Sequence, residues 1–155
     1  MGTRLQTHFL PYRPDQLYDL VADIEKYPEF LPWCVAVRIL SKSETEIIAD
    51  LSVGYKIFRE TFRSRVHLTP KTRIEVEYIN GPFHSLNNHW VFKEASNGGT
   101  NVDFFIDFQF RNSLFQRATQ VVFESAFNQM LSAFEKRAQE LWLIISIFLC
   151  ELGLS

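Results

Sequence analysis

The sequence predicts an α+β domain in which a curved antiparallel sheet of about seven strands closes over one long C-terminal helix. Three observations carry this expectation. From Val35 to Phe110 apolar residues recur with period two, the spacing that sends successive side chains to opposite faces of a strand. Beyond Phe110 the period lengthens to that of a helix, and no Gly or Pro interrupts it up to Trp142. The chain also holds 15 Phe, 3 Trp and 5 Tyr in 155 residues, a large aromatic content for one small core. A chain of this length needs only one core.

Thr7, Phe9 and Pro11 mark a short first strand. Pro14 then opens a helix at a first-turn position, where its missing N–H costs nothing. Leu17, Leu20, Val21 and Ile24 recur at helical spacing, and Asp15, Asp19 and Asp23 form a solvated stripe on another face. Tyr27 to Trp33 ends the helix as a compact aromatic turn. Val35, Val37 and Ile39 alternate with Ala36, Arg38 and Leu40, and Ile47, Ala49, Leu51 and Val53 form the next inward row.

Strands over Phe58 to Leu68 and Arg73 to Ile79 are joined by a turn at Thr69-Pro70-Lys71-Thr72. Facing Arg65 with Glu75 and Arg63 with Glu77 sets Val66 on Ile74 and Phe62 on Tyr78 on the opposite face. A turn at Asn80-Gly81-Pro82 leads to a strand from His84 to Glu94, with Leu86, Trp90 and Phe92 on one side. A loop at Ala95 to Gly99 precedes the cleanest alternating row, Val102, Phe104, Ile106, Phe108 and Phe110. Asn112 or Ser113 caps the long helix, whose stripe runs through Leu114, Ala118, Val121, Ala126, Met130, Phe134, Ala138 and Leu141. Phe115, Val122, Phe123, Phe127 and Leu131 widen that stripe beyond what one flat contact needs, so the sheet is expected to wrap around it.

A formal net charge of −2 and a pI near 6.1 argue against binding to DNA, because phosphate neutralisation needs a surplus of Lys and Arg on one face. Phosphate-cradling glycine loops, paired cysteines at zinc spacing and H-E-x-x-H are missing from the sequence. His8, His67, His84 and His89 read as surface or strand-end residues. Asp103 and Asp107 lie opposite the apolar row, away from any interior. Glu60 falls in phase with Phe58, Phe62 and Val66; it sits either on the rim of a pocket or on a bulge that turns it outward. Cys34 and Cys150 are far apart and no signal-peptide pattern opens the chain, so a reduced, cytoplasmic setting is expected. The apolar run Leu141 to Cys150 is too short to cross a bilayer and long enough to touch one, giving an expected peripheral contact with an inner membrane.

Taken one at a time, period-two aromatics are ordinary core. Together Phe58, Phe62, Tyr78, Trp90, Phe92, Phe104 and Phe108, with Val122, Phe123 and Met130 of the helix, describe a concave apolar site with few polar groups, suited to a greasy ligand. Tyr27, Phe30, Leu31 and Trp33 are expected at its entrance. No catalytic residue, cofactor or metal ligand is expected.

Three stretches carry a family resemblance: Tyr27-Pro28-Glu29-Phe30-Leu31-Pro32-Trp33-Cys34; Asn80-Gly81-Pro82-Phe83 with Leu86 and Trp90-x-Phe92; and Phe104-x-Ile106-Asp107-Phe108-x-Phe110. Over about Thr3 to Trp142 they resemble the coenzyme-Q-binding START family, of START-like helix-grip fold. That family includes mitochondrial ubiquinone chaperones and bacterial relatives, among them a ribosome association toxin. The resemblance implies a ubiquinone, or a similar prenylated quinone or lipid, held between sheet and terminal helix, a respiratory role and no chemical step. Its alternative implication is binding to the large ribosomal subunit, for which Lys56, Arg59, Arg63 and Arg65 are the basic candidates. Trp33-Cys34 is more similar to the quinone-chaperone branch, and Asn80 replaces the commoner Asp of its turn. Lacking an Arg- and Ser-rich leader, the sequence is expected to be bacterial or a mature organellar chain. The domain is expected to span 3–142, with 143–155 an apolar tail outside the resemblance.

Overall fold

The period-two segments pair as one sheet. In the computed structural model, which describes residues 2–55 and 58–143, seven antiparallel strands lie in the order β1-β7-β6-β5-β4-β3-β2. They are β1 (Gly2–Leu10), β2 (Cys34–Lys42), β3 (Glu46–Tyr55), β4 (Phe58–Thr69), β5 (Arg73–Asn80), β6 (Phe83–Glu94) and β7 (Thr100–Phe110). Between β1 and β2 come α1 (Pro14–Ala22), a 3₁₀ turn (Ile24–Lys26) and α2 (Tyr27–Phe30); α3 (Ser113–Ala138) follows β7. A π-helical turn, Gln139–Leu143, continues α3. Residues 144–155, including Cys150 and most of the apolar tail, lie outside the described residues, as does Lys56.

Local chemistry sets the helix starts. Pro14 occupies the first turn of α1, and Gln16 Oε1 accepts the Arg13 N–H at 3.0 Å. Asn112 caps α3, its Oδ1 accepting the Leu114 N–H at 2.8 Å. Leu17, Tyr18, Leu20 and Val21 of α1 are buried against the sheet, and Phe127, Met130, Phe134 and Ala138 are the buried face of α3. Each of the larger side chains contributes about 1.5–3 kcal/mol by leaving water. The Arg4–Glu124 ion pair at 2.7 Å ties α3 to the edge strand β1, and His8 Nε2 lies 3.6 Å from the Glu135 carboxylate.

Several expectations are corrected. The first strand is nine residues long, and Phe9 points outward, 45% exposed, while Leu10 enters the core. Phe9 lies over Gly99, where a Cβ would meet its ring at 2.6 Å, so the loop backbone and not the interior receives it. Val35 is 50% exposed because a register shift between Cys34 and Ala36 removes it from the inward row. At the two ends of the α3 stripe, Leu114 and Leu141 are exposed. The aromatic turn after α1 is itself helical over Tyr27–Phe30.

The β4–β5 hairpin keeps the expected faces and shifts by two residues. Arg65 faces Glu77, Val66 faces Val76, His67 faces Glu75 and Leu68 faces Ile74. Thr69 pairs with Arg73, leaving a three-residue loop in which Lys71 adopts φ 66°. Arg65 therefore reaches Glu46 (3.6 Å) and Glu77 (3.7 Å), Arg63 binds Asp50 on β3 at 2.8 Å, and Glu75 takes Arg73 at 2.6 Å. The outward readings of Asp103 and Asp107 hold: Asp103 accepts from Thr7 and pairs with Lys93, and Asp107 accepts from Thr3. The Lys93 ammonium, with the Thr7 hydroxyl, holds the Asp103 carboxyl below the usual carboxylate range.

Candidate ligand-binding cavity

Because the strands alternate, one face of β3 to β7 turns a nearly unbroken set of apolar side chains toward α3. Between them lies a cavity of about 390 Å³, within the roughly 300–1,000 Å³ range of small-molecule sites. Leu51 and Val53 come from β3, Phe62 and Val66 from β4, and Ile74 and Val76 from β5. Leu86 and Trp90 on β6 and Phe104, Ile106 and Phe108 on β7 complete the sheet wall. Helix α3 adds Phe123, Met130 and Phe134, and Val21, Ile24, Tyr27 and Leu31 form a cap from α1, the 3₁₀ turn and α2.

The ends of the cavity are aromatic. Phe83 packs on Phe62 and Tyr78 at 5.5 Å, on Phe108 at 6.1 Å and on Phe110 at 4.6 Å, sealing one end. Toward the α1 end Trp90 meets Phe104 at 4.5 Å and Phe134 at 5.2 Å. Ala118 of α3 lines the cavity and is also exposed, so the opening lies beside the N-terminal half of that helix.

Polar groups are few. The Tyr27 hydroxyl donates to the Val21 carbonyl, and burial pushes its ionisation upward. Asn88 donates from Nδ2 to the Phe105 carbonyl at 2.8 Å. Trp33 Nε1 and Ser64 Oγ are buried without a hydrogen-bond partner among the described residues. The described lining includes no Asp, Glu, His, Lys or Arg, and no cluster of three or more His, Cys, Asp and Glu occurs among the described residues. An apolar guest is thus held by burial, with orientation left to four polar side chains.

Of the residues expected at the site, Tyr27, Leu31, Trp33, Phe62, Trp90, Phe104, Phe108, Phe123 and Met130 line this cavity. Three do not. Phe92 packs edge-on against Tyr18 at 5.9 Å and belongs to the α1 contact. Tyr78 faces inward, but Phe83 fills the space before it, and its hydroxyl accepts the Phe83 N–H at 3.0 Å. Phe30 turns to Phe134 and Arg137 and lines an open groove of about 800 Å³ on the outside of α2 and α3. That groove is walled largely by polar side chains, among them Glu29, Asn128, Gln129 and Lys136, in contrast to the cavity. The side chains of Phe58 and Val122 lie outside the described residues. Glu60 keeps its inward phase, opposite Val53 in an unbroken β3–β4 register, and no bulge turns it out. Ser64 and Asn88 were missed; both fall in phase with inward neighbours, which was the signal available.

A sheet that grips one long helix around an apolar cavity defines the START-like class of α+β ligand-binding folds. A family model described as polyketide cyclase / dehydrase and lipid transport matches residues 10–135, and the chain belongs to that family. The ribosome association toxin RatA of Rickettsia prowazekii is 41% identical over 138 residues, 86% of this chain and 94% of that protein. The mitochondrial coenzyme Q-binding protein COQ10 homolog B of Xenopus laevis is 29% identical over 141 residues, 88% of this chain and 58% of that protein. The solution structure of an 18 kDa protein from Caulobacter crescentus superposes with a TM-score of 0.74 at 34% identity, covering 91% of this chain and 98% of that one.

Proposed function

We propose that this protein is a non-enzymatic binding module that holds a prenylated quinone such as ubiquinone, or a similarly apolar lipid, and serves respiratory electron transport as a carrier or chaperone. The cavity carries this reading: about 390 Å³, predominantly apolar, with no acid–base pair in its described lining. The likeness to a coenzyme Q-binding protein supports the choice of ligand. Peripheral contact with an inner membrane from a cytoplasmic position suits a carrier that must collect a lipid, and no helix among the described residues is long and apolar enough to cross one. Organic extraction of the purified protein followed by mass spectrometry should release a quinone. Adding a short-tailed ubiquinone to the extracted protein should quench the fluorescence of Trp33 and Trp90, which line the cavity, to a saturable end point. Absence of both effects sinks the proposal.

The name of the 41% identical relative, a ribosome association toxin, favours a second reading, association with the ribosome, for which the large subunit is the surface to test. Arg63 and Arg65 are poor candidates for that contact, since both are paired with carboxylates on neighbouring strands. Co-sedimentation of the extracted protein with purified large subunits, unaffected by quinone loading, is the result that favours it over the carrier.

A further inference from the structure

Resting on the quinone or lipid reading of the cavity, we infer that Ser64 and Asn88 form a polar clamp for a ring-shaped head bearing oxygens on opposite sides, so the head lies deep against β4–β6 and the prenyl tail leads toward α3. Ser64 is 1% exposed, lines the cavity and has an Oγ with no partner among the described residues. A buried hydroxyl without a partner carries a desolvation cost that a ligand oxygen removes. It sits in a wall that is mostly aliphatic and aromatic, where Ala would pack without that cost.

The sheet register fixes where the second group stands. Ser64 faces Tyr78, while Val66 faces Val76 and Val76 faces Asn88. Ser64 and Asn88 are thus two strand spacings apart across the sheet and two residues apart along it, about 12 Å between their backbones. Asn88 Nδ2 is bonded to the Phe105 carbonyl of β7, on the far side of β6 from Ser64, so the two polar groups do not draw together and stand about as far apart as their backbones. That gap suits a six-membered ring with an oxygen at each end and a hydrogen bond of about 2.9 Å at each oxygen.

The chemistry of the pair also suits both oxidation states of such a head. A serine hydroxyl donates to a quinone carbonyl or accepts from a quinol hydroxyl. Asn88 spends one Nδ2 hydrogen on the Phe105 carbonyl, which pins its carboxamide. A second N–H and the Oδ1 oxygen stay available to the guest, one for each state. Trp33 stands apart from this clamp: Gly54 donates to its carbonyl at 2.9 Å, five residues along β3 from Ala49, the partner of Ser64.

The test uses the extracted full chain and two probes, a short-tailed ubiquinone and a prenylated arene of the same shape without ring oxygens. The unmodified protein should prefer the ubiquinone, and its affinities for the oxidised and reduced forms should agree within about tenfold. Ser64→Ala should weaken ubiquinone binding about three- to tenfold, leave the arene unchanged and keep or raise the melting temperature of the empty protein. Asn88→Ala should weaken ubiquinone in the same direction. If Ser64→Ala binds ubiquinone as tightly as the unmodified protein does, or if quinone and arene bind alike, the clamp is wrong while the lipid cavity stands. If neither probe binds the unmodified protein, the clamp and the quinone or lipid reading fall together.

Discussion

Cys34 begins β2 as a buried thiol, and burial raises it from an ordinary value of 9.0 to about 11. The thiolate is the reactive form, so at pH 8 only about one molecule in a thousand is poised to react. Iodoacetamide at that pH should leave Cys34 unmodified for as long as the protein stays folded, with peptide mapping used to separate it from Cys150. The same shift has a sign for stability. Unfolding releases the thiol to ionise at its lower, ordinary value, so its contribution is intact below pH 9 and fades as the pH climbs toward about 11. Rapid labelling at pH 8 in native buffer would show that Cys34 is not in the buried setting described. Residue by residue, this burial was not legible in the sequence: Cys34 and Val35 are both apolar neighbours at a strand start, and the register shift between Cys34 and Ala36 decides which one enters the core.

For the strands, loop length matters more than pattern. A two-residue slip of β4 against β5 leaves every apolar side chain on its original face, so alternation reads the faces correctly and says nothing of the offset. The three-residue loop decides it, with Lys71 in a left-handed conformation that the sequence does not announce with a glycine. A double-mutant cycle checks the outcome: charge reversals at Arg65 and Glu77 should couple by about 0.2–1 kcal/mol, and reversals at Arg65 and Glu75 should be additive. Coupling to Glu75 instead would restore the register expected from the sequence and overturn the observed one. The next hairpin turn is stricter. Gly81 has φ 148°, and a Cβ there would stand 2.6 Å from Phe62 Cβ, on a side chain of the cavity wall. Gly98 has φ 87° and open space around it. Both Ala variants carry backbone strain, and Gly81→Ala adds a clash, so its melting temperature should fall further by several degrees. Equal shifts would show that the approach to Phe62 relaxes freely.

At the scale of the whole molecule, element order and the gripped helix were legible because two periodicities, two and then 3.6, meet at Phe110 without interruption. The candidate site was legible in part. Every strand residue in inward phase is a potential wall, and phase alone does not reveal that Phe83 fills the space before Tyr78 or that α1 takes Phe92 for itself. The polar members were hidden for a related reason. Ser64 lies between two arginines and Asn88 between Asn87 and His89, so each reads locally as solvated surface although strand phase turns both inward, and the assembled cavity shows what they face.

The opening beside Ala118 has a kinetic consequence. The buried anchors of α3, Phe127, Met130, Phe134 and Ala138, all lie in its C-terminal half; among the described residues of the first half, none is buried. The first half is held by lighter ties, Phe115 and Phe123 on Phe110 and Phe108, the Phe110 N–H on Gln116 Oε1 and Arg4 on Glu124, so an opening that lifts this end about a pivot near Phe127 disrupts fewer buried contacts than one that lifts the other end. Uptake and release then need only a sub-global excursion, and the strands remain paired throughout. Amide hydrogen exchange should show this as a gradient, fast over 114–123 and slow over 127–138, with loading slowing the fast half. Uniform protection along α3, unaltered by loading, would mean that the guest enters by another route.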